Sequence, residues 1–186
     1  TSVTLPNSVI SIGNAVFQSC TNLTSVTIGN SVTSIGLRMF RQCTSLTSVT
    51  IGNSVTSIGV QAFYLCSSLA SVTIPGSVTS IGNQAFYSCS GLTAVYFKGN
   101  APTLGSSVFD LSNNVKVYYL PETTGWPTPP PAPFGGRPTV LWNPQVQTSD
   151  ASFGVGTNGF GFTITGSSNL VIVVVACTNL GSPIWS

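Results

Sequence analysis

Four cysteines, Cys20, Cys43, Cys66 and Cys89, recur at a fixed interval of 23 residues, and their thiols offer this chain's widest choice of chemistry. A thiol can ligate zinc or exchange with a disulfide. Zinc needs converging ligands such as a C-x-x-C pair, which single cysteines one interval apart do not supply. If successive repeats stack, neighbouring Cα atoms lie about 5 Å apart, within reach of a disulfide. An oxidised pair therefore stays open beside a column of buried thiols behaving as small hydrophobes. Histidine is absent, and the carboxylates are Asp110, Glu122 and Asp150, all in expected loops. General acid–base catalysis calls for a positioned His or a carboxylate pair, and no Ser–His–Asp triad can be built. The glycines of "GVGTNGFG", from Gly154 to Gly161, sit between expected strands instead of ahead of a helix, so they are no phosphate loop. No catalytic, metal or cofactor site is assigned, and the chain is expected not to be an enzyme.

Composition narrows the partners. Charged residues make up 4% of the 186 residues and the net charge is +2. A surface solvated by Ser, Thr, Gly and Asn lacks the basic stripe that nucleic acid requires. The longest apolar run, "LVIVVVAC" from Leu170 to Cys177, is far short of the roughly 20 residues of a membrane-spanning helix and reads as a strand. Residue 1 is not Met and falls inside a repeat, which reads as a processed chain or a fragment.

The cysteine interval is shared by Phe17, Phe40, Phe63, Phe86 and Phe109, by Leu23, Leu46, Leu69 and Leu92, and by a Val and a Gly column. The stretch "LTSVTIGNSVTSIG" begins at Leu23 and again, unchanged, at Leu46. Within it "LTSVTI" alternates apolar with Ser25 and Thr27, a period of two that makes a strand with one buried face. A repeat of this length with an L-x-x-L-x-L core marks a leucine-rich-repeat solenoid. Each coil is expected to run from strand to "GN" or "PG" turn, through "SVTSIG", to an "xxAFxxC" segment forming one helical or 3₁₀ turn. In coil two, Val26, Ile28, Val32, Ile35, Phe40, Cys43 and Leu46 are expected inward.

The run "CSSLASVTIPGSVTSIGNQAF", from Cys66 to Phe86, resembles the BspA-like leucine-rich repeats of bacterial surface proteins. The resemblance covers residues 1 to about 120, and the residues that carry it are core residues. It implies secretion or surface display, with adhesion to proteins or cells. The pattern departs at Gly29 and Gly52, which replace the usual Pro, and at coil five, which lacks the Cys.

The expected domains are a mostly β solenoid of five coils over 1–120, a Pro/Gly-rich connector over 121–142, and a small, incomplete β-sheet region over 143–186. "PTPPPAPFGGRP" reads as a polyproline-like connector. The last region is too short for its own sandwich, so Val171, Val173 and Val175 are candidates for self-association.

The remaining functional candidates are surface columns. Ser25, Ser48 and Ser71 with Thr27, Thr50 and Thr73 form an outward hydroxyl grid, either plain soluble strand residues or a face for an ordered partner such as a glycan, another sheet or ice. Gln18, Arg41, Tyr64 and Tyr87 form a second column, in which Arg41 is expected over Tyr64 as a cation–π pair and the tyrosines stack. Asn22, in "NLT", is the one glycosylation sequon. The expected function is a non-catalytic, adhesin-like binding or surface scaffold, extracellular or on the cell surface, binding a protein or glycan. The alternative is a self-assembling subunit of an extracellular fibre or layer.

Overall fold

The computed structural model describes residues 1–142 in full and, beyond them, the backbone of four short strands. Internal contacts divide the chain into Thr1–Trp142 and Asn143–Ser186. The first unit is a stack of coils, each giving a longer and a shorter strand. In chain order these are β1 (Ser2–Leu5); β2 (Ser25–Ile28) and β3 (Ser34–Ile35); β4 (Ser48–Thr50) and β5 (Ser57–Ile58); β6 (Ser71–Ile74) and β7 (Ser80–Ile81); β8 (Ala94–Phe97) and β9 (Thr103–Leu104); then β10 (Lys116–Tyr119), β11 (Pro133–Phe134) and β12 (Arg137–Leu141). In the second unit, β13 (Gln145–Gln147) pairs antiparallel with β16 (Thr163–Thr165), and β14 (Gly154–Gly156) with β15 (Gly159–Gly161). Val171, Val173 and Val175 lie outside the described residues.

Register follows the repeat. Val26 pairs with Val3 and with Val49, and Ile58 with Ile35 and Ile81. Inward residues of coil two, from Val26 to Leu46, are all buried. Their largest column is aromatic: Phe17, Phe40, Phe63, Phe86 and Phe109 stack with centroids 5.5, 5.3, 5.1 and 5.8 Å apart. The coil spacing and the parallel-stacked ring spacing nearly coincide, so one rise satisfies both the sheet and the aromatic contacts. Threonine hydroxyls add a further tie, because Thr47 Oγ1 donates to the Thr24 carbonyl at 3.0 Å and Thr56 Oγ1 to that of Thr33 at 3.1 Å. The long strands form two sheets, β1-β2-β4 and β6-β8-β10-β12-β11. They adjoin where the Thr47 column carries Ala70, which has no hydroxyl to donate.

The expected helical or 3₁₀ turn is corrected. The "xxAFxxC" segment consists of consecutive turns, in which Arg41 N–H donates to the Arg38 carbonyl at 3.1 Å and Cys43 N–H to that of Phe40 at 3.1 Å. A left-handed residue stands on either side of the inward Phe, Arg38 at φ 55 and Gln42 at φ 62 in coil two, and the equivalent positions repeat this in every coil through Ser107 and Leu111. These turns aim N–H groups at the next coil: Arg38, Phe40 and Gln42 donate to the carbonyls of Val60, Ala62 and Tyr64. Helical hydrogen bonds would have consumed those groups within the coil. Just before the strands an inter-coil bond runs the other way, Thr47 N–H donating to the Thr24 carbonyl.

The segment 121–142, expected as a polyproline-like connector, is likewise part of the solenoid. β12 pairs in parallel with β10, extending the long-strand column to a seventh rung. Gly135 and Gly136, at φ 58 and 75, make a tight turn from β11 back to β12. Two consecutive positive φ values suit a two-residue hairpin, and glycine adopts them without Cβ strain. Trp126 stacks on Tyr119 at 5.0 Å and meets Phe134 at 4.9 Å. These rings, with Gly135 against Phe109, close the end of the core.

Phe63→Ala is expected to cost about 3–5 kcal/mol by opening a cavity between two coils. Thr50→Ala, on an exposed face, should cost less than about 1 kcal/mol. Urea unfolding of both variants checks this, and equal losses would contradict the inward and outward assignments.

Candidate functional site

The thiol column is structural in its geometry. Cys43, Cys66 and Cys89 are free and buried, whereas Cys20 is exposed. Their Sγ atoms donate to the carbonyls of Phe17, Phe40 and Phe63 at 3.0, 3.1 and 3.0 Å. In coil five Ser112 does the same work, Oγ donating to the Phe86 carbonyl at 2.8 Å. The departure from the repeat is thus chemically conservative. Arg137 ends the series with Nη2 on the Phe109 carbonyl at 2.7 Å. Burial raises the thiol of Cys43 from its ordinary 9.0 to about 11 and that of Cys89 to about 12, and burial followed by the neighbouring thiols raises Cys66 as well. Such thiols are poor nucleophiles.

In the unfolded chain these thiols ionise near pH 9, so above that pH the unfolded state binds fewer protons than the folded one, and stability falls. Their contribution is complete below pH 9 and is lost as pH rises toward 11 and 12. Urea midpoints between pH 8 and 11 should fall more shallowly for the C43S/C66S/C89S variant than for the parent chain. In brief alkylation followed by peptide mapping, Cys20 should be modified and the three buried cysteines spared. Labelling of Cys66 at the rate of Cys20 would contradict the column.

The hydroxyl grid lies where the alternation put it. Ser25 and Ser48 are paired across β2 and β4, as are Thr27 and Thr50; Thr27, Ser48 and Thr50 are exposed, while Ser25, Ser71 and Thr73 are half-buried. Unlike the Thr47 column, these six hydroxyls make no hydrogen bond within the described residues. The grid, which Ser2 and Thr4 of β1 begin, stops after four rungs, because Ser71 and Thr73 pair with Ala94 and Tyr96 in β8. From there the outward face is aromatic: Tyr96 stacks on Tyr118 at 4.9 Å and meets Trp142 at 5.0 Å. Aligning "AVYF" beneath "SVTI" carries that signal. Tyr96 and Trp142 are buried.

The second column is assembled as the spacing implied. The Arg41 guanidinium lies 5.0 Å from the Tyr64 ring centroid, and Tyr64 and Tyr87 stack at 5.0 Å with planes 1° apart. Beside it runs a ladder that the sequence reading missed. Arg38 Nε donates to Gln61 Oε1 at 2.9 Å, and Gln61 Nε2 to Gln84 Oε1 at 2.8 Å. Its signal was the recurrence of long polar residues at 38, 61 and 84, the left-handed positions that push side chains outward. Arg41 Nη1 donates to Gln42 Oε1 at 3.0 Å. Leu37 and Val60, each 39% exposed, share this edge. Asn22 is exposed in the turn before β2, with its carbonyl accepting from the Thr1 amine at 3.2 Å. No group of three or more His, Cys, Asp or Glu among the described residues could hold a metal ion.

Residues 1–116 match the BspA type leucine rich repeat region in 6 copies, and the chain belongs to that family. The T. pallidum leucine rich repeat protein is similar at a TM-score of 0.60 and 29% identity, over 63% of this chain and 57% of that one. A leucine rich cell surface protein of Faecalibacterium prausnitzii gives 0.57 and 29%, over 63% and 31%. A leucine-rich repeat protein of Eubacterium ventriosum gives 0.57 and 32%, over 63% and 31%. This chain therefore spans little more than half of the first relative and about a third of the other two. No curated protein matches it. No helix among the described residues is long and apolar enough to cross a membrane.

Proposed function

We propose that this chain is a non-catalytic, adhesin-like solenoid displayed outside a bacterial cell, and that it recognises a protein through its turn edge. The family is one of repeat proteins, generally non-enzymatic, and a relative carries the description of a cell surface protein. The carrying observation is the continuous column of Arg41, Tyr64 and Tyr87. Arg and Tyr are the side chains that most often anchor protein interfaces, and here they are held rigid before any partner arrives, which lowers the ordering cost of binding. Internal variation favours the same edge. Coils two and three are identical from Leu23 and from Leu46 for fourteen residues, and they diverge in the segments that follow, "LRMFRQ" against "VQAFYL".

The alternative readings stand on other faces. A glycan or ordered surface would lie on the hydroxyl grid. Self-assembly would use the outer edge of β1, unpaired among the described residues, with Ile10 and Val16, which are 72% and 51% exposed. At the other end, the β11 hairpin and the prolines Pro133 and Pro138 cover or interrupt the edge of β12, a device that blocks strand addition and works against head-to-tail growth.

A panel of purified extracellular proteins and glycans separates these readings. The expected outcome is a protein ligand whose affinity drops about tenfold or more with Tyr64→Ala or Tyr87→Ala and is unchanged by Thr27→Val with Thr50→Val. Loss on the grid variants alone would move the site to the sheet face. Fibres in sedimentation and electron microscopy would favour the subunit reading.

A further inference from the structure

The turn edge carries two cations whose charge is left uncompensated. Arg38 and Arg41 belong to one turn, closed by the Arg41 N–H on the Arg38 carbonyl, so both project from the same short segment. Each is oriented by a neutral amide oxygen, Arg38 by Gln61 and Arg41 by Gln42, and among the described residues no carboxylate pairs with either. The amides are themselves fixed, since Gln61 donates onward to Gln84. A fork held by an amide keeps its direction and full charge, whereas a carboxylate partner would neutralise it. Arg41 also lies over Tyr64, its guanidinium carbon 5.0 Å from the ring centroid; its Nε is buried, so the terminal Nη groups are the ones a partner meets. Guanidinium forks with free donors bind carboxylates bidentately.

The surroundings select the source of the anion. Leu37 and Val60 flank these cations as exposed aliphatics, and the edge continues into stacked tyrosines. A sulfated glycan or nucleic acid would need a longer run of cations, and the chain has five Lys and Arg in all. We infer that Arg38 and Arg41 receive the side-chain carboxylates of an acidic, partly apolar protein segment, whose apolar residues rest on Leu37 and Val60. This rests on the turn edge being the recognition face and names the chemistry of its partner.

The test uses the full chain and three probes: a short labelled peptide with two glutamates beside a leucine, its glutamine counterpart, and a heparin oligosaccharide. Binding is read by fluorescence anisotropy and by the arginine Nε–H signals in NMR. The glutamate peptide is expected to bind about tenfold more tightly than the glutamine peptide, to shift the Arg38 and Arg41 signals, and to weaken at high salt. Arg38→Gln and Arg41→Gln should each reduce binding, and Arg41→Lys should restore part of it, with unfolding midpoints confirming that every variant is folded. Equal binding of the two peptides, no binding by either, or tighter binding of heparin that depends on the same arginines would overturn the inference. If Tyr64→Ala and Tyr87→Ala abolish binding of the protein ligand found in the panel while Arg38→Gln and Arg41→Gln leave it intact, the edge reading survives and this one fails. If neither pair matters, the edge reading fails.

Discussion

Every coil must offer its successor the same hydrogen-bond partners and the same shape that it received from its predecessor, and this translation along one axis governs the rest of the molecule. It explains why Val pairs with Val and Ile with Ile, and why five phenylalanines can lie ring over ring. It also explains the left-handed residues. Each costs on the order of 1 kcal/mol for a side chain other than Gly, yet the coils hold two apiece because that conformation turns the N–H groups of the Phe segment toward the next coil. The cost is offset by inter-coil hydrogen bonds and the burial of an aromatic ring. Glycines obey the same constraint from the steric side: a Cβ on Gly59 would stand 2.8 Å from the carbonyl carbon of Gly36, closer than a coil-to-coil contact permits.

A constraint that fixes inward and axial positions leaves variation only to side chains that point away from both. On the strands up to β6 these are short hydroxyls, giving way to Tyr96 and Tyr118 beyond it. On the turn edge they are long, and coil two, three and four differ there in charge, aromaticity and size. Recognition requires a surface that differs from place to place, and a translationally repeated core can supply it only at such positions. The five hydrogen-bond donors reaching the Phe carbonyls make the contrast plain. Thiol, hydroxyl and guanidinium succeed one another from Cys43 to Arg137 because the site asks only for a donor.

The repeated part of the fold was legible because periodicity in the sequence is periodicity in space. Phe40, Cys43 and Leu46 were placed inward from their spacing, and Arg41, Tyr64 and Tyr87 fell into one column for the same reason. What was not legible depended on backbone conformation or on residues outside the period. The "xxAFxxC" segment has the composition of a helical turn, and only the demand of the next coil for N–H donors prevents one. The proline-rich segment looked like a semi-rigid polyproline connector because composition reports only local chain stiffness, while the turn at Gly135–Gly136 and the aromatic contacts of Trp126 fold it back. The Arg38–Gln61–Gln84 ladder keeps the 23-residue interval, so its column was readable; the outward aim of its side chains, set by left-handed backbone at each position, was not.

The account divides the coil into a fixed frame and a free edge, and transplanting an edge tests that division most directly. The L37N/R38Q/R41Y variant gives coil two the residues of coil four at edge positions 37, 38 and 41. The decisive measurement is its affinity for the protein ligand of the parent chain, taken where its urea midpoint matches the parent. The account expects an unchanged midpoint and an affinity lower by about tenfold or more; a folded variant that binds as tightly as the parent would contradict it.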